Sequence, residues 1–215
     1  MKICCEAEGR GARAGEVPAA VRVLCEAQNT TACQARCWVA CAYAGVRCTA
    51  PLSFAVWRAV AASAPLRRVW AGGGNVTVRG SGFGEACIFP ALAFGAGCTG
   101  YDLCASSAEA RDLAAALGVE VELTCDDTKS SSLATTSWPD LQGTRVLWVA
   151  NALLPPAETC AAVAAARRLP PGAALVLERA ADCGDFGAFE VHEVPAPGVP
   201  APFQVYLVPA NAAEL

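Results

Sequence analysis

Lysine is almost missing from this chain of 215 residues: of its sixteen basic residues only Lys2 and Lys129 are lysines, so no lysine-rich arm exists to neutralise phosphates. Twenty acidic residues bring the net charge to −4, and independent nucleic-acid binding through a basic patch is not expected. Histidine occurs once, as His192. A Cys–His or Ser–His catalytic pair would have to use it, and no Gly-x-Ser-x-Gly nucleophile turn is present, which argues against that chemistry. Long apolar runs are also missing. Cys37–Val46 and Cys48–Trp57 are split by Arg47 and fall well short of the ~20 residues a spanning helix needs, so no membrane association is expected. A secretory leader is not visible either, because Glu6, Glu8 and Arg10 stand where an apolar core should follow Met1 and Lys2.

What is present is apolar and compact: 54% of the residues are hydrophobic and 17% charged. A chain of this length buries about two-thirds to three-quarters of its unfolded surface, so it needs no staples to fold. The thirteen cysteines are therefore expected to be reduced thiols in an intracellular protein, cytoplasmic or nuclear. Cys33, Cys37 and Cys41 share one helical face and could gather three thiolates for a metal, but small buried hydrophobes are the plainer reading and no metal is expected. Asn29-Thr30-Thr31 and Asn75-Val76-Thr77 match the glycosylation pattern and are expected to be unused without a secretory route. The five tryptophans read as core and not as a base-stacking platform.

Residues 1–15 are rich in glycine and charge and are expected to fray. Helical spacing from Pro18 to about Ala44 and from Leu52 to about Ala64 predicts a helical lead-in over 1–69. Over 70–215 the pattern alternates. Strands are expected at 76–79, 98–102, 119–125, 145–150 and 173–178, with helices at 84–95, 106–117 and 156–168. Two further β runs, Phe189–Val194 and Phe203–Val208, flank a proline-rich turn that suits an antiparallel pair. The whole is an α/β, doubly wound, Rossmann-like sheet, mostly parallel, with an antiparallel last strand.

The chemistry concentrates where the first strand ends. Val76-Thr77-Val78-Arg79 runs into Gly80-Ser81-Gly82-Phe83-Gly84-Glu85, a glycine turn that opens a helix and offers bare backbone and free N–H groups to a ligand. Asp102 ends the next strand, placed so that its carboxylate can accept both hydroxyls of an adenosine ribose. A dinucleotide fingerprint would have a third glycine where this chain has Glu85. A carboxylate beside a pyrophosphate is repulsive, so a ligand with adenosine but no phosphate fits better than NAD or FAD.

Gly80–Glu85, then Gly100-Tyr101-Asp102-Leu103, Cys125-Asp126-Asp127 and Val146–Asn151 resemble the successive cofactor motifs of class I S-adenosylmethionine-dependent methyltransferases. Ser137-Trp138-Pro139-Asp140, Val149-Ala150-Asn151 and Leu169–Ala173 are most similar to the non-SET histone-lysine methyltransferases of the disruptor-of-telomeric-silencing type. The resemblance implies a seven-stranded sheet and S-adenosylmethionine as cofactor, held by Gly80, Ser81, Gly82, Gly84, Glu85 and Leu103, with Asp102 on the ribose and Asp126 near the adenine amino group. Asn151 is the expected catalytic residue, orienting an acceptor amine.

Two departures stand out. Val78 occupies the position two before the first glycine, where the family usually has an acid that holds the cofactor's amino group. Asn151 is followed by Ala152-Leu153-Leu154, unlike the Asn-Pro-Pro-aromatic motif of enzymes that methylate bases. Three readings stay open: a methyltransferase acting on an unidentified acceptor, an inactive cofactor-binding or structural relative serving as a partner subunit, and a nicotinamide oxidoreductase. Histone-directed relatives need basic surface, so that substrate would require a partner subunit here.

Overall fold

The computed structural model describes residues 54–81, 84–102, 110–112, 114–115, 117–125, 141–151, 154–184 and 189–210. The helix expected over Pro18–Ala44, the cysteines at 33, 37 and 41, and Ser137–Asp140 lie outside them.

Two short helices lead into the sheet, α1 (Phe54–Ala61) and α2 (Ala64–Ala71). Pro65 has no N–H to give and suits the first turn of a new helix, so the single helix expected to end near Ala64 is broken at Ser63 and restarts. Then follow β1 (Asn75–Arg79), α3 (Glu85–Phe94), β2 (Cys98–Asp102), β3 (Glu122–Cys125), β4 (Thr144–Val149), α4 (Pro156–Ala166), β5 (Ala174–Leu177), β6 (Glu190–Val194) and β7 (Phe203–Leu207). Residues 110–112 and 114–115 are helical within the expected 106–117. β3 is shorter than expected, because Val119, Glu120 and Val121 approach it without joining the ladder.

The seven strands form one sheet in the order β3-β2-β1-β4-β5-β7-β6. β1, β2, β3, β4 and β5 are paired in parallel, whereas β7 runs antiparallel to both β5 and β6. Val146, Leu147, Trp148 and Val149 are all buried, as expected of a central strand covered on both faces. One face packs Val76, Val78 and Trp148 against Trp57, Leu66, Ile88 and Phe89 from the helices. The other packs Leu147, Val149, Leu175 and Leu177 against Ala162, Val163 and Ala166 of α4. No described residue between Glu178 and Phe189 is helical.

The expectation of unpaired cysteines fails at four positions. Packing of α3 on β2 brings Cys87 against Cys98, and packing of α4 on the segment after β5 brings Cys160 against Cys183; both pairs are disulfides. Their Cα atoms stand 5.3 Å apart in each case, a proximity made by the fold and invisible to composition. The bonds also remove one ground for a reducing compartment. Among the described residues, no helix is long and apolar enough to cross a membrane.

Candidate cofactor site

β1 delivers the chain to the carboxyl edge of the sheet, where the backbone must turn at once into α3. Gly80 takes φ +78°, and a Cβ there would stand 2.9 Å from the Cβ of Ala150, so a side chain is excluded both by conformation and by space. The Gly80 and Ser81 N–H groups both donate to the Tyr101 carbonyl, at 2.9 and 3.2 Å, which fastens the turn to β2. The Gly84 N–H donates to the Ser81 carbonyl at 2.7 Å, and the Ile88 N–H returns to the Gly84 carbonyl at 2.7 Å as α3 begins.

Gly100 makes this close approach possible. A Cβ at that position would lie 2.7 Å from Leu123 Cδ2, 2.9 Å from Ser81 Cβ and 3.1 Å from Cys87 Sγ. The requirement is one of space on the face of β2, so no local turn pattern announces it.

Ser81 is 2% exposed, and its hydroxyl has no hydrogen-bond partner. A buried hydroxyl left unsatisfied costs about 1–3 kcal/mol, so the Ser81 hydroxyl is free to bond a group placed inside the turn. Glu85 is 3% exposed in the first turn of α3, where the helix dipole favours a carboxylate. Asp102 closes β2 in register with Cys125 at the end of β3, so its backbone sits one residue beyond the carbonyl that anchors the glycine turn.

Asn151 follows β4 directly after Ala150 and is 5% exposed. Its side-chain amide donates to the Arg179 carbonyl at 3.1 Å, and its oxygen accepts the Arg179 N–H at 3.0 Å. One N–H and one lone pair of the amide remain for other use. Arg179 has no signal in the sequence; it is found only because β5 lies beside β4 and ends level with it.

Beside the turn, Tyr101 is half-buried on β2. Burial raises its phenol pKa above the ordinary value, the Glu122 carboxylate adds to the rise, and the Arg79 guanidinium opposes it. The fold therefore gathers Gly80, Ser81, Gly84, Glu85, the Asp102 backbone and Asn151 at the carboxyl ends of β1, β2 and β4. Gly82, Leu103 and Asp126 lie outside the described residues. His192 is elsewhere, on β6, with Nε2 2.9 Å from Glu190 Oε1.

No protein-family model and no curated protein matches the chain. Solved structures do. The S-adenosylmethionine-dependent methyltransferase SibL in its apo form is similar over 88% of this chain and 74% of its own, at 14% identity and a TM-score of 0.50. The fold is the Rossmann-like methyltransferase fold. An RNA methyltransferase from Salinibacter ruber, in complex with S-adenosyl-L-homocysteine, is similar over 69% of this chain and 94% of its own, at 22% identity and a TM-score of 0.48. A rRNA methylase from Streptococcus thermophilus is similar over 66% and 93%, at 19% identity and a TM-score of 0.46.

Proposed function

We propose that this chain is an S-adenosylmethionine-dependent methyltransferase acting on a nitrogen acceptor. The observation that carries the reading is the buried, unpartnered Ser81 hydroxyl inside the Gly80–Gly84 turn, on a sheet of order β3-β2-β1-β4-β5-β7-β6. Glu85 beside the turn disfavours a pyrophosphate, which suits an adenosine ligand without phosphates.

When bound, the cofactor supplies a methyl group already activated by its sulfonium charge. In this reading Gly80, Ser81 and Gly84 form the floor under its methionyl end, together with Gly82, and Leu103 borders it. Asp102 accepts from the ribose hydroxyls, and Asp126 from the adenine amino group. Asn151 directs its remaining amide N–H or lone pair toward the acceptor, orienting it without competing as a nucleophile. The protein's part is alignment and exclusion of water, so neither a triad nor a metal is required.

A second reading, an inactive relative serving as a partner subunit, draws on Val78. It is 0% exposed in the core, in register with Gly100 and Trp148, where an acid would hold the cofactor's amino group in the family this chain resembles. The histone-lysine subtype has no counterpart among the neighbours named above, so no histone acceptor is carried over.

Calorimetric titration with S-adenosylmethionine, S-adenosylhomocysteine, NAD and NADP separates the readings. Binding of the first two only, weakened by about 1.5–3 kcal/mol in Asp102→Ala, supports a methyltransferase site. Binding of a nicotinamide nucleotide, or of none of the four, overturns it.

A further inference from the structure

The sequence has few lysines, but its basic charge is carried by arginine, and the fold collects several at the edge opposite the glycine turn. From Ala64 to Asn75, from Leu141 to Val146 and from Thr159 to Leu177 the chain contains no Asp or Glu. These segments meet at the amino ends of β1, β4 and β5. Arg67 and Arg68 are exposed on α2, and Arg168 is exposed just beyond α4. Between them the Arg145 side chain lies over the turn that joins α2 to β1, with Nη1 donating to the Pro171 carbonyl at 3.1 Å. Arg168 lines an open groove of about 320 Å³ with Leu141, Gln142, Gly143 and Pro170. Among the described residues, no salt bridge engages Arg67, Arg68, Arg145 or Arg168. Among the described residues, acids bound the patch at the sheet edges, at Glu120 and Glu122 before and on β3 and Glu190 on β6.

A second observation falls at the same end. Phe94, at the close of α3, is 49% exposed and stacks on Trp70, two residues beyond Arg68, with ring centroids 4.9 Å apart. Arginine forks pair with phosphate oxygens, and an exposed aromatic gives an unstacked base a face to lie on. An acidic protein would use the first feature and not the second.

We propose that this surface binds a single strand of RNA, its backbone crossing Arg68, Arg145 and Arg168 and a base resting on Phe94. It reverses the expectation drawn from lysine content, because the charge is assembled by topology and not by a run in the sequence. It stands apart from the cofactor crevice and does not depend on the chain being a methyltransferase.

Fluorescence anisotropy of the full chain with a labelled oligouridylate, followed as salt rises from about 50 to about 200 mM, tests it. The Arg68→Ala/Arg168→Ala variant should bind roughly tenfold more weakly and lose about 1.4 from the salt slope, at about 0.7 per phosphate contact of a single strand. The lysine pair at the same positions should keep the slope. Phe94→Ala should weaken binding several-fold with the slope unchanged. If the double variant is misfolded by circular dichroism, Arg67→Glu on the exposed face of α2 carries the test alone. Absence of binding at low salt, variants that bind like the parent, equal affinity for duplex RNA, or equal competition by polyglutamate would each overturn the proposal.

Discussion

Asn151 and Arg179 hold one another across the carboxyl ends of β4 and β5: the Asn151 side-chain amide accepts a hydrogen bond from the Arg179 backbone N–H and donates one to the Arg179 carbonyl. Twenty-eight residues separate them in sequence. The pair fixes the plane of the Asn151 amide, as the proposed role of orienting an acceptor requires.

Asn151→Ala should cost about 1–3 kcal/mol, since it leaves the Arg179 backbone groups without their partners. Turnover should fall roughly tenfold or more while cofactor affinity changes less. Asn151→Asp separates the two effects, because its carboxylate still accepts from the Arg179 N–H but cannot donate to the carbonyl. Urea denaturation read beside single-turnover rates gives the partition. Stability lost with turnover unchanged would assign Asn151 to the strand end alone.

The alternation of elements was legible because β-branched runs such as Val76-Thr77-Val78 and helical stretches such as Pro156–Ala166 follow different periods, and glycines mark the changes between them. The number of strands was reached through resemblance, but their order was not, since nothing local tells β1 to lie between β2 and β4. Gly80 and Gly84 announce a turn, so the position of the candidate site could be read from them. Gly100, Arg179 and the Arg68–Arg145–Arg168 surface could not, because each matters through neighbours distant in sequence. Cys87 and Cys98, and Cys160 and Cys183, belong to the same class of miss: pairing is decided by which surfaces pack, and a length argument says only that pairing is unnecessary.

Thiol titration of the denatured, unreduced chain should find no more than nine of the thirteen cysteines free, given the pairs Cys87–Cys98 and Cys160–Cys183. Reduction should lower the unfolding free energy by about 2–4 kcal/mol for the Cys160–Cys183 bond, whose loop is the longer, spanning 23 residues. Cys160→Ala/Cys183→Ala should unfold at the midpoint of a parent in which only that bond has been reduced. Thirteen titrating thiols without reductant would remove both bonds.

Tyr206 makes the alkaline side of the stability profile testable. It lies on β7, and burial raises its phenol pKa above the ordinary 10.0, with the Ala181 backbone hydrogen bond pulling the other way. The folded chain therefore holds the phenol neutral more firmly than the unfolded chain does. That contribution is complete below the ordinary value and is lost as pH rises through the raised one. Tyr206→Phe has nothing to ionise, so its unfolding free energy should decline less steeply above about pH 10, where Tyr101 still titrates. Parallel alkaline profiles for the variant and the parent would show that the Tyr206 phenol titrates as it does in the open chain.

Ser81→Ala should move stability and binding in opposite directions. The hydroxyl is buried without a partner, so removing it relieves a desolvation cost and should stabilise the empty protein by about 1 kcal/mol. The methyl that remains is smaller than the group it replaces and meets the same close neighbour on the Gly100 side, so the turn should keep its shape. If the hydroxyl is there for the cofactor, the same change removes one hydrogen bond from the complex and should weaken S-adenosylmethionine roughly threefold to tenfold, the scale of a neutral bond worth about 0.5–1.5 kcal/mol. Thermal unfolding of the empty chain and a calorimetric titration on the same preparation read the two signs. A variant that is less stable than the parent would mean that the hydroxyl is already satisfied by a bound water or backbone group. One that is more stable yet binds equally well would place the cofactor away from Ser81.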